Sequence, residues 1–297
     1  MKNSIQIAAI LAAFMPSLAL GQMETGHYPA GAEGLKAASL PPPGKYLKWY
    51  NFYYTSRKLT GPTGSRVNTD FELDVFATAP RLIWMTDRKL FGADYGVDIL
   101  IPYLQVDVKA GGTHNSASGV GDIFFEPAVL GWHGDDWDIG AAVGLWVPTG
   151  EFEVNSLANV GKDFWTTMLT LGATGYIDRE KTWSVSALGR YEINSKKSEI
   201  AVQPGDDFHI EWGVGKTVSS NWTVGLTAYT HWQVTDDRGG AVTWDPGVHD
   251  RFGSLGPEIS YASDDSTCFI ALRYQREFAA VDRPEGYNTV LSLVKVF

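Results

Sequence analysis

Apolar and polar residues alternate along much of this chain, and the clearest case lies between Gly119 and Gly150. Both halves of this stretch place apolar residues at every second position, and a polar corner at 133–136 separates the halves. A period of two with one apolar face predicts a β-strand, and two such runs around a Gly-Asp corner predict a hairpin. In the second half the apolar positions are Trp137, Ile139, Ala141, Val143, Leu145 and Val147.

The opposite face of this hairpin is small or acidic. Asp122 and Glu126 occupy even positions of the first half, whereas Phe125 and Val129 are among its apolar odd positions. Aromatic girdles at strand ends are typical of a barrel that stands in a bilayer. The residues near the strand ends that suggest such girdles are Trp132, Trp137 and Trp146.

The same alternation predicts twelve strands from Lys45 to the end of the chain. The predicted strands are 45–57, 69–86, 91–108, 119–133, 136–148, 163–177, 181–194, 207–218, 221–234, 252–263, 266–278 and 286–297. Their lengths suit a tilted membrane strand, which needs about 9–11 residues in the hydrocarbon. We therefore predict an all-β transmembrane antiparallel barrel of about twelve strands.

The predicted connections alternate between short and long, as the two rims of an outer-membrane barrel do. An even strand number puts both termini on the periplasmic side, with the short turns. The short connections are 87–90, 133–136, 178–180, 219–220 and 264–265; the long ones are 58–68, 109–118, 149–162, 195–206, 235–251 and 279–285.

Two segments precede the predicted barrel, which covers residues 45–297. Residues 1–21 have Lys2, an apolar run and small residues at the end, which predicts a secretory signal peptide; the run is shorter than the roughly 20 residues of a spanning helix. Residues 22–44 are rich in Gly, Ala and Pro and cannot form a regular ladder. They are either a periplasmic tail or a plug in the lumen, where His27, Tyr28 and Leu35 would line a narrow bore.

Composition narrows the class of protein further. The formal net charge of −10 argues against a nucleic-acid partner, and the single Cys268 excludes an intramolecular disulfide framework. An exported chain without a spanning helix is periplasmic, secreted or an outer-membrane barrel. Phe297 ends the last predicted strand on an aromatic residue, the usual assembly signal of bacterial barrels, although Lys295 shares the face of Leu291 and Leu293.

Several short motifs, in this order, resemble the MetA-pathway phenol-degradation family. This resemblance covers nearly the whole chain after residue 21, and it implies an outer-membrane barrel that transports small hydrophobic or aromatic compounds. It supplies no catalytic residues. The motifs are His27, Tyr28, Pro29, Ala30, Gly31, Gly34 and Leu35; Pro42, Pro43, Gly44, Lys45 and Tyr46; Gly119, Val120, Gly121, Asp122, Ile123 and Pro127; and Val147, Pro148, Thr149 and Gly150.

Ionisable residues inside the predicted strands are expected to face the lumen, because Arg or Lys on the lipid face costs roughly 2–4 kcal/mol at the midplane. They either form ion pairs that fill the lumen or form a polar constriction that disfavours anionic solutes. Asp70, Glu72 and Asp74 extend the set unless Pro80 shifts that strand. The predicted lumen residues are Asp94, Asp98, Asp122, Glu126, Arg190, Glu192, His209, Glu211, Glu258, Arg273, Gln275 and Glu277.

Weaker signals concern binding and catalysis. Tyr229 and His231 form either a solvated aromatic cluster at the outer mouth or rim anchors. His114 and Ser116 have the spacing of a barrel phospholipase but lie in a predicted loop. The pairs Asp206-Asp207, Asp236-Asp237 and Asp264-Asp265 fit turns better than calcium ligands, so no metal or cofactor is predicted.

The predicted function is passive uptake of a small hydrophobic or aromatic molecule through the outer membrane. The alternatives are a closed structural or binding barrel that uses its extracellular loops, a barrel lipid hydrolase, and a soluble periplasmic or secreted β protein. The expected partners are outer-membrane lipid, the barrel-assembly machinery and the solute.

Overall fold

The computed structural model describes residues 26–297, so the predicted signal peptide lies outside the described residues. In this part of the chain no helix is long and apolar enough to cross a membrane. The strands are β1 (Gly44–Leu59), β2 (Glu72–Leu90), β3 (Ala93–Leu100), β4 (Tyr103–Ala110), β5 (Thr113–Val120), β6 (Ile123–His133), β7 (Trp137–Val147), β8 (Thr166–Tyr176), β9 (Trp183–Asn194), β10 (Asp207–Thr217), β11 (Trp222–Gln233), β12 (Arg251–Ala262), β13 (Cys268–Val281) and β14 (Pro284–Val296).

These segments form a closed antiparallel barrel of twelve strands, which confirms the predicted fold. β3 and β4 both pair with β2, in the same register on the two sides of a short break at Pro102, which has no backbone N–H to donate. β5 and β6 form the next strand, interrupted at 121–122, where the register slips by one residue. β1 pairs with both β2 and β14 and so closes the barrel.

The outer surface carries an apolar belt, with Leu171, Leu226 and Leu255 more than half exposed. Aromatic side chains mark the periplasmic rim: the first residues of β7, β9 and β11 are Trp137, Trp183 and Trp222, each 41–44% exposed. An apolar band with an aromatic girdle is the surface of a barrel in a bilayer. The chain is an outer-membrane β-barrel.

The 119–150 hairpin departs from the prediction at two places. A register shift between Phe125 and Ala128 reverses the alternation of β6, so Val129 is buried in the barrel. Trp146 also points inward, where its ring stacks on His27 with centroids 5.4 Å apart. It is therefore a lumen residue and not part of a girdle.

The loop prediction was wrong at two extracellular connections. Residues 109–118 and 279–285 are not long loops: β4 and β5 join through Gly111 and Gly112, and β13 and β14 join through 282–283. Both glycines have positive φ, which a tight hairpin turn needs. The polar residues of β5 resemble a loop in sequence because this hairpin extends past the end of β7 into solvent.

The acidic residues at the start of β2 do not extend the lumen set. Pro80 pairs opposite Trp49 in an unbroken register, so no bulge shifts this strand there; the even-numbered acids instead share the outward face of Leu82 and Trp84. Leu73 and Val75 therefore line the cavity, and Asp74 pairs with Arg57 at 2.7 Å on the outer side. Glu72 and Asp70 are exposed as well.

Candidate functional site

Residues 26–43 pass through the lumen. Near the periplasmic end the Ser39 hydroxyl donates to Asp138 at 2.7 Å. At the extracellular end Gly26 packs against Glu192 and Asp207. The segment has no strand partner, so its backbone groups depend on side chains of the barrel wall.

The carboxylate of Glu33 is the centre of the contacts that hold the segment. Lys48 Nζ lies 2.5 Å from one of its oxygens, and Arg81 Nη1 lies 3.0 Å from the other. The Tyr50 hydroxyl donates to the same carboxylate at 2.8 Å, and Arg190 lies 4.0 Å away. Three cations thus surround one largely buried anion, an arrangement that compensates its desolvation.

Arg81 links this centre to two of the predicted lumen acids. Its Nε and Nη2 donate to the two oxygens of Asp98 at 2.9 and 2.7 Å, and Nη2 also contacts Glu126. Bidentate pairing of this kind fixes the guanidinium plane. Arg81 therefore joins β2, β3 and β6 to the N-terminal segment.

Further along the segment, wall carboxylates accept backbone N–H groups. Glu211 accepts the N–H of Glu33 at 3.0 Å and pairs with Arg190 at 2.9 Å. The Arg190 guanidinium also lies 3.8 Å from the centre of the Tyr28 ring, and the Tyr28 hydroxyl donates to Glu211.

A second pair holds the next turn of the segment. Glu258 accepts the N–H of Leu35 at 3.1 Å and pairs with Arg273 at 2.6 Å, while Arg273 donates to the carbonyl of Gly31. Higher in the lumen, His27 lies 2.9 Å from Asp122 and 2.8 Å from the Thr166 hydroxyl.

Two cavities lie beside the segment in the described part of the lumen. The larger has a volume of about 710 Å³ and opens among the extracellular loops. The smaller, about 300 Å³, lies toward the periplasm beside Leu35 and Tyr261. Glu33 lines both, so the Glu33–Arg81 level separates them.

The walls of the larger cavity are mostly apolar. On the inward face of β4 the residues Leu104, Val106 and Val108 continue the row that begins with Asp98 in β3. This row is acidic at Asp98, near the midplane of the membrane, and apolar from there toward the extracellular end. Aromatic rings complete the wall from other strands: Tyr50, Phe52, Phe124, Trp146 and Phe252.

The other sequence-predicted lumen residues divide into separate groups. Glu192 and His209 lie 2.8 Å apart, and Gln275 donates to Thr227 at 3.0 Å. Glu277 accepts the Tyr54 hydroxyl at 2.8 Å. Asp94 is less buried and pairs with Lys89 near the periplasmic rim at 2.8 Å.

Tyr229 and His231 are not a solvated cluster at the mouth. Each is 1% exposed, and both contact His209. They face inward because, in β11, the alternate positions that carry polar residues are the ones that point into the lumen. The aromatic rings are thus part of a buried hydrogen-bonded group.

His114 and Ser116 lie in β5 rather than in a loop. Their strand is on the exposed hairpin, and His114 Nε2 is 3.0 Å from Asp107. The nitrogen that a catalytic histidine would direct at the serine is therefore directed at a carboxylate.

The main lumen residues that the sequence analysis did not identify are Glu33, Arg81 and Lys48. Arg81 follows Pro80, which made the parity of its strand uncertain. Glu33 lies in a segment without alternation, so no periodic signal marks it. Lys48 alternates with apolar Leu47 and Trp49 in β1, a signal that could have found it.

Comparison with solved structures shows the same fold. The COG4313 outer membrane channel from Pseudomonas putida F1 has a TM-score of 0.77 and 17% identity, covering 93% of this chain and 100% of that chain. The beta domain of the Bordetella autotransporter BrkA has a TM-score of 0.52 and 10% identity, over 86% of this chain and 100% of that chain. The translocator domain of the autotransporter NalP from Neisseria meningitidis also has a TM-score of 0.52 and 10% identity, covering 86% of this chain and 90% of that chain.

No curated protein matches this chain. A family model described as "Putative MetA-pathway of phenol degradation" matches residues 55–293, which is most of the barrel. The resemblance noted from the short motifs is confirmed, and the chain belongs to this family of the phenol-degradation MetA pathway.

Proposed function

We propose that the protein is an outer-membrane channel for passive uptake of small hydrophobic or aromatic, phenol-like compounds. The observation that carries this proposal is the cavity of about 710 Å³ with mainly apolar walls inside the barrel. Removing apolar solute surface from water onto such walls is favourable by roughly 25 cal/mol per Å².

The walls suit aromatic solutes better than sugars. Phe124, Trp146 and Phe252 offer ring faces and edges for contact with another ring. A sugar would lose the water molecules that hydrate its hydroxyl groups, and the apolar row of β4 offers few hydrogen-bond partners to replace them. The cavity therefore favours a solute with an apolar body and few polar groups.

The route to the periplasm passes the Glu33–Arg81 level. The N-terminal segment fills the lumen there, so passage requires the segment to shift. The segment is attached to the wall largely through ion pairs and hydrogen bonds. These can exchange partners while the backbone hydrogen bonds between the barrel strands stay intact.

Transport can be tested by uptake of an alkylphenol into cells with an intact lipopolysaccharide layer, which slows apolar solutes. Cells that express the protein should accumulate the alkylphenol faster than cells without it. Liposome swelling with sugars should be slow. Equal alkylphenol uptake in both strains would refute the proposal.

A closed barrel that binds a ligand is the second candidate, because residues 26–39 lie inside the lumen and contact its wall. It predicts that an alkylphenol quenches the fluorescence of Trp146 in the detergent-solubilised protein without faster uptake by cells. Replacing Trp146 with Phe identifies that part of the signal.

A further inference from the structure

Three buried side chains near the extracellular end of the lumen converge on one point. Asp207 is the first residue of β10, His231 lies in β11, and Asp250 immediately precedes β12. Each is at most 3% exposed, and one ligand atom from each lies within 4.8 Å of the others. We propose that these residues bind a divalent first-row transition cation such as Zn²⁺ or Co²⁺.

Both carboxylates face the same ring nitrogen. His231 Nε2 lies 2.6 Å from an Asp250 oxygen and 3.4 Å from an Asp207 oxygen. A single N–H can donate well to only one of these two carboxylates, so the facing oxygen of Asp207 has no short hydrogen bond from His231. A cation between the three atoms would be bound by the nitrogen lone pair and by both carboxylates.

The arrangement differs from other histidine–carboxylate contacts of this barrel. His133 lies between Asp94 and Asp138, but these approach different ring nitrogens, at 3.8 and 2.8 Å. Such a histidine can donate to two carboxylates in its protonated form. The convergence at His231 Nε2 instead has the layout of a shared ligand site.

Neighbouring side chains orient the ligands. Asn194 donates to the other oxygen of Asp207 at 3.0 Å. His231 Nδ1 lies 3.0 Å from His209 Nδ1, and His209 Nε2 lies 2.8 Å from Glu192. If His209 Nδ1, which the Tyr229 hydroxyl also contacts, accepts the N–H of His231 Nδ1 while His209 Nε2 donates to Glu192, His231 Nε2 is left unprotonated, the state that binds metal.

The donor set selects the class of cation. Calcium and magnesium prefer oxygen ligands alone, whereas one imidazole with two carboxylates suits zinc, cobalt, nickel or manganese. His231 also lines the large cavity, which opens among the extracellular loops and so gives a cation a path from outside the cell.

A bound cation would join the extracellular ends of three neighbouring strands. Asp250 ends the loop 234–250, whose residues Ala241, Thr243 and Trp244 line the large cavity. The cation would thus hold this loop in place over the cavity. The sequence analysis predicts no metal here because the three ligands are far apart in the chain.

Untagged protein, folded in detergent and stripped with a chelator, can be titrated with Co²⁺ and then Zn²⁺. We expect one Co²⁺ per chain, visible absorption bands from nitrogen and oxygen ligands, displacement by Zn²⁺ and a higher unfolding temperature. His231→Gln should abolish the bands and Asp207→Asn should weaken binding. Glu192→Gln should weaken binding about 10–100-fold, as loss of a supporting hydrogen bond does.

His249→Gln is the matched control, since His249 lies 2.9 Å from Asp236 near the surface. It should bind Co²⁺ as the parent chain does. The shift in electrophoretic mobility on heating verifies that each variant is folded. The proposal is overturned if the folded parent binds no Co²⁺ saturably, or if His231→Gln and Asp207→Asn both bind it unchanged.

Discussion

Glu33 of the N-terminal segment and Arg81 of β2 form an ion pair, with 3.0 Å between Glu33 Oε1 and Arg81 Nη1, at the level that separates the two lumen cavities. Arg81 also pairs with Asp98 and Glu126 of the wall. The same contacts therefore position the segment and divide the lumen. Loss of either Glu33 or Arg81 should therefore alter both the position of the segment and the division of the lumen.

Glu33→Gln removes the anion that faces Lys48, Arg81 and Arg190. We expect the constriction to become more attractive to anions and the open conductance to rise as the segment loosens. Breaking a buried pair costs about 3–5 kcal/mol, so the segment should lose most of its hold at this point. The measurement is the reversal potential in planar bilayers under a salt gradient.

The control for this variant is Glu72→Gln, which removes an exposed carboxylate outside the lumen. It should leave the reversal potential unchanged. If Glu33→Gln and Glu72→Gln give the parent value alike, Glu33 does not contribute to selectivity.

Gly34→Ala tests how the segment fits the wall. Gly34 has φ of +73°, and an added Cβ would collide with Arg273 and Glu258. The left-handed backbone alone costs a non-glycine residue roughly 1–2 kcal/mol. We expect a displaced segment and faster liposome swelling with small sugars.

Gly92→Ala is the matched control for Gly34→Ala. Gly92 has φ of +80° in a periplasmic turn, with open space around the added Cβ. It carries the same backbone strain without the collision, so swelling should stay at the parent rate. Equal swelling rates for the two variants would contradict the role given to the segment.

The barrel could be predicted from the sequence because a period of two is a local property. Alternation of apolar and ionisable residues places Asp98 and Glu126 inside without knowledge of the strand neighbours. The prediction failed where the local pattern changes: at the register shift before Val129, and in β5, whose exposed hairpin has the composition of a loop.

The contacts of the lumen could not be predicted in the same way. Glu33 lies in a segment without alternation, and its partners Lys48, Arg81 and Arg190 come from three strands. Asp207 and Asp250 meet His231 only because β10, β11 and β12 are neighbours in a particular register. Such contacts depend on the register between neighbouring strands of the closed barrel. The alternation pattern of a single sequence carries no information about that register.

Asp265 gives a prediction for acidic pH. Hydrogen bonds from the Ser263 hydroxyl and from the backbone and hydroxyl of Thr267 lower the pKa of Asp265 from 3.8 to about 2. A lowered carboxyl pKa stabilises the folded state above pH 3.8, and this contribution is lost as the pH falls through about 2.

Asp265→Asn should therefore lower the unfolding temperature slightly at pH 7 and have a much smaller effect near pH 2. The effect is small because the side chain is fully exposed in the periplasmic turn. Thermal unfolding of both proteins at the two pH values measures it. A difference of equal size at both values would contradict the hydrogen-bonding explanation.

Ala77→Phe tests whether the large cavity is the route for apolar solutes. Ala77 lies on the inward face of β2, lines the cavity and packs against the buried aromatic cluster. The larger ring would occupy part of the volume and cost about 1–3 kcal/mol in repacking. Alkylphenol uptake should fall severalfold.

Ala141→Phe adds the same ring to the outward face of β7, between Ile139 and Val143, where it meets lipid. Uptake through that variant should match the parent, and equal uptake by the Ala77 variant would move the route elsewhere.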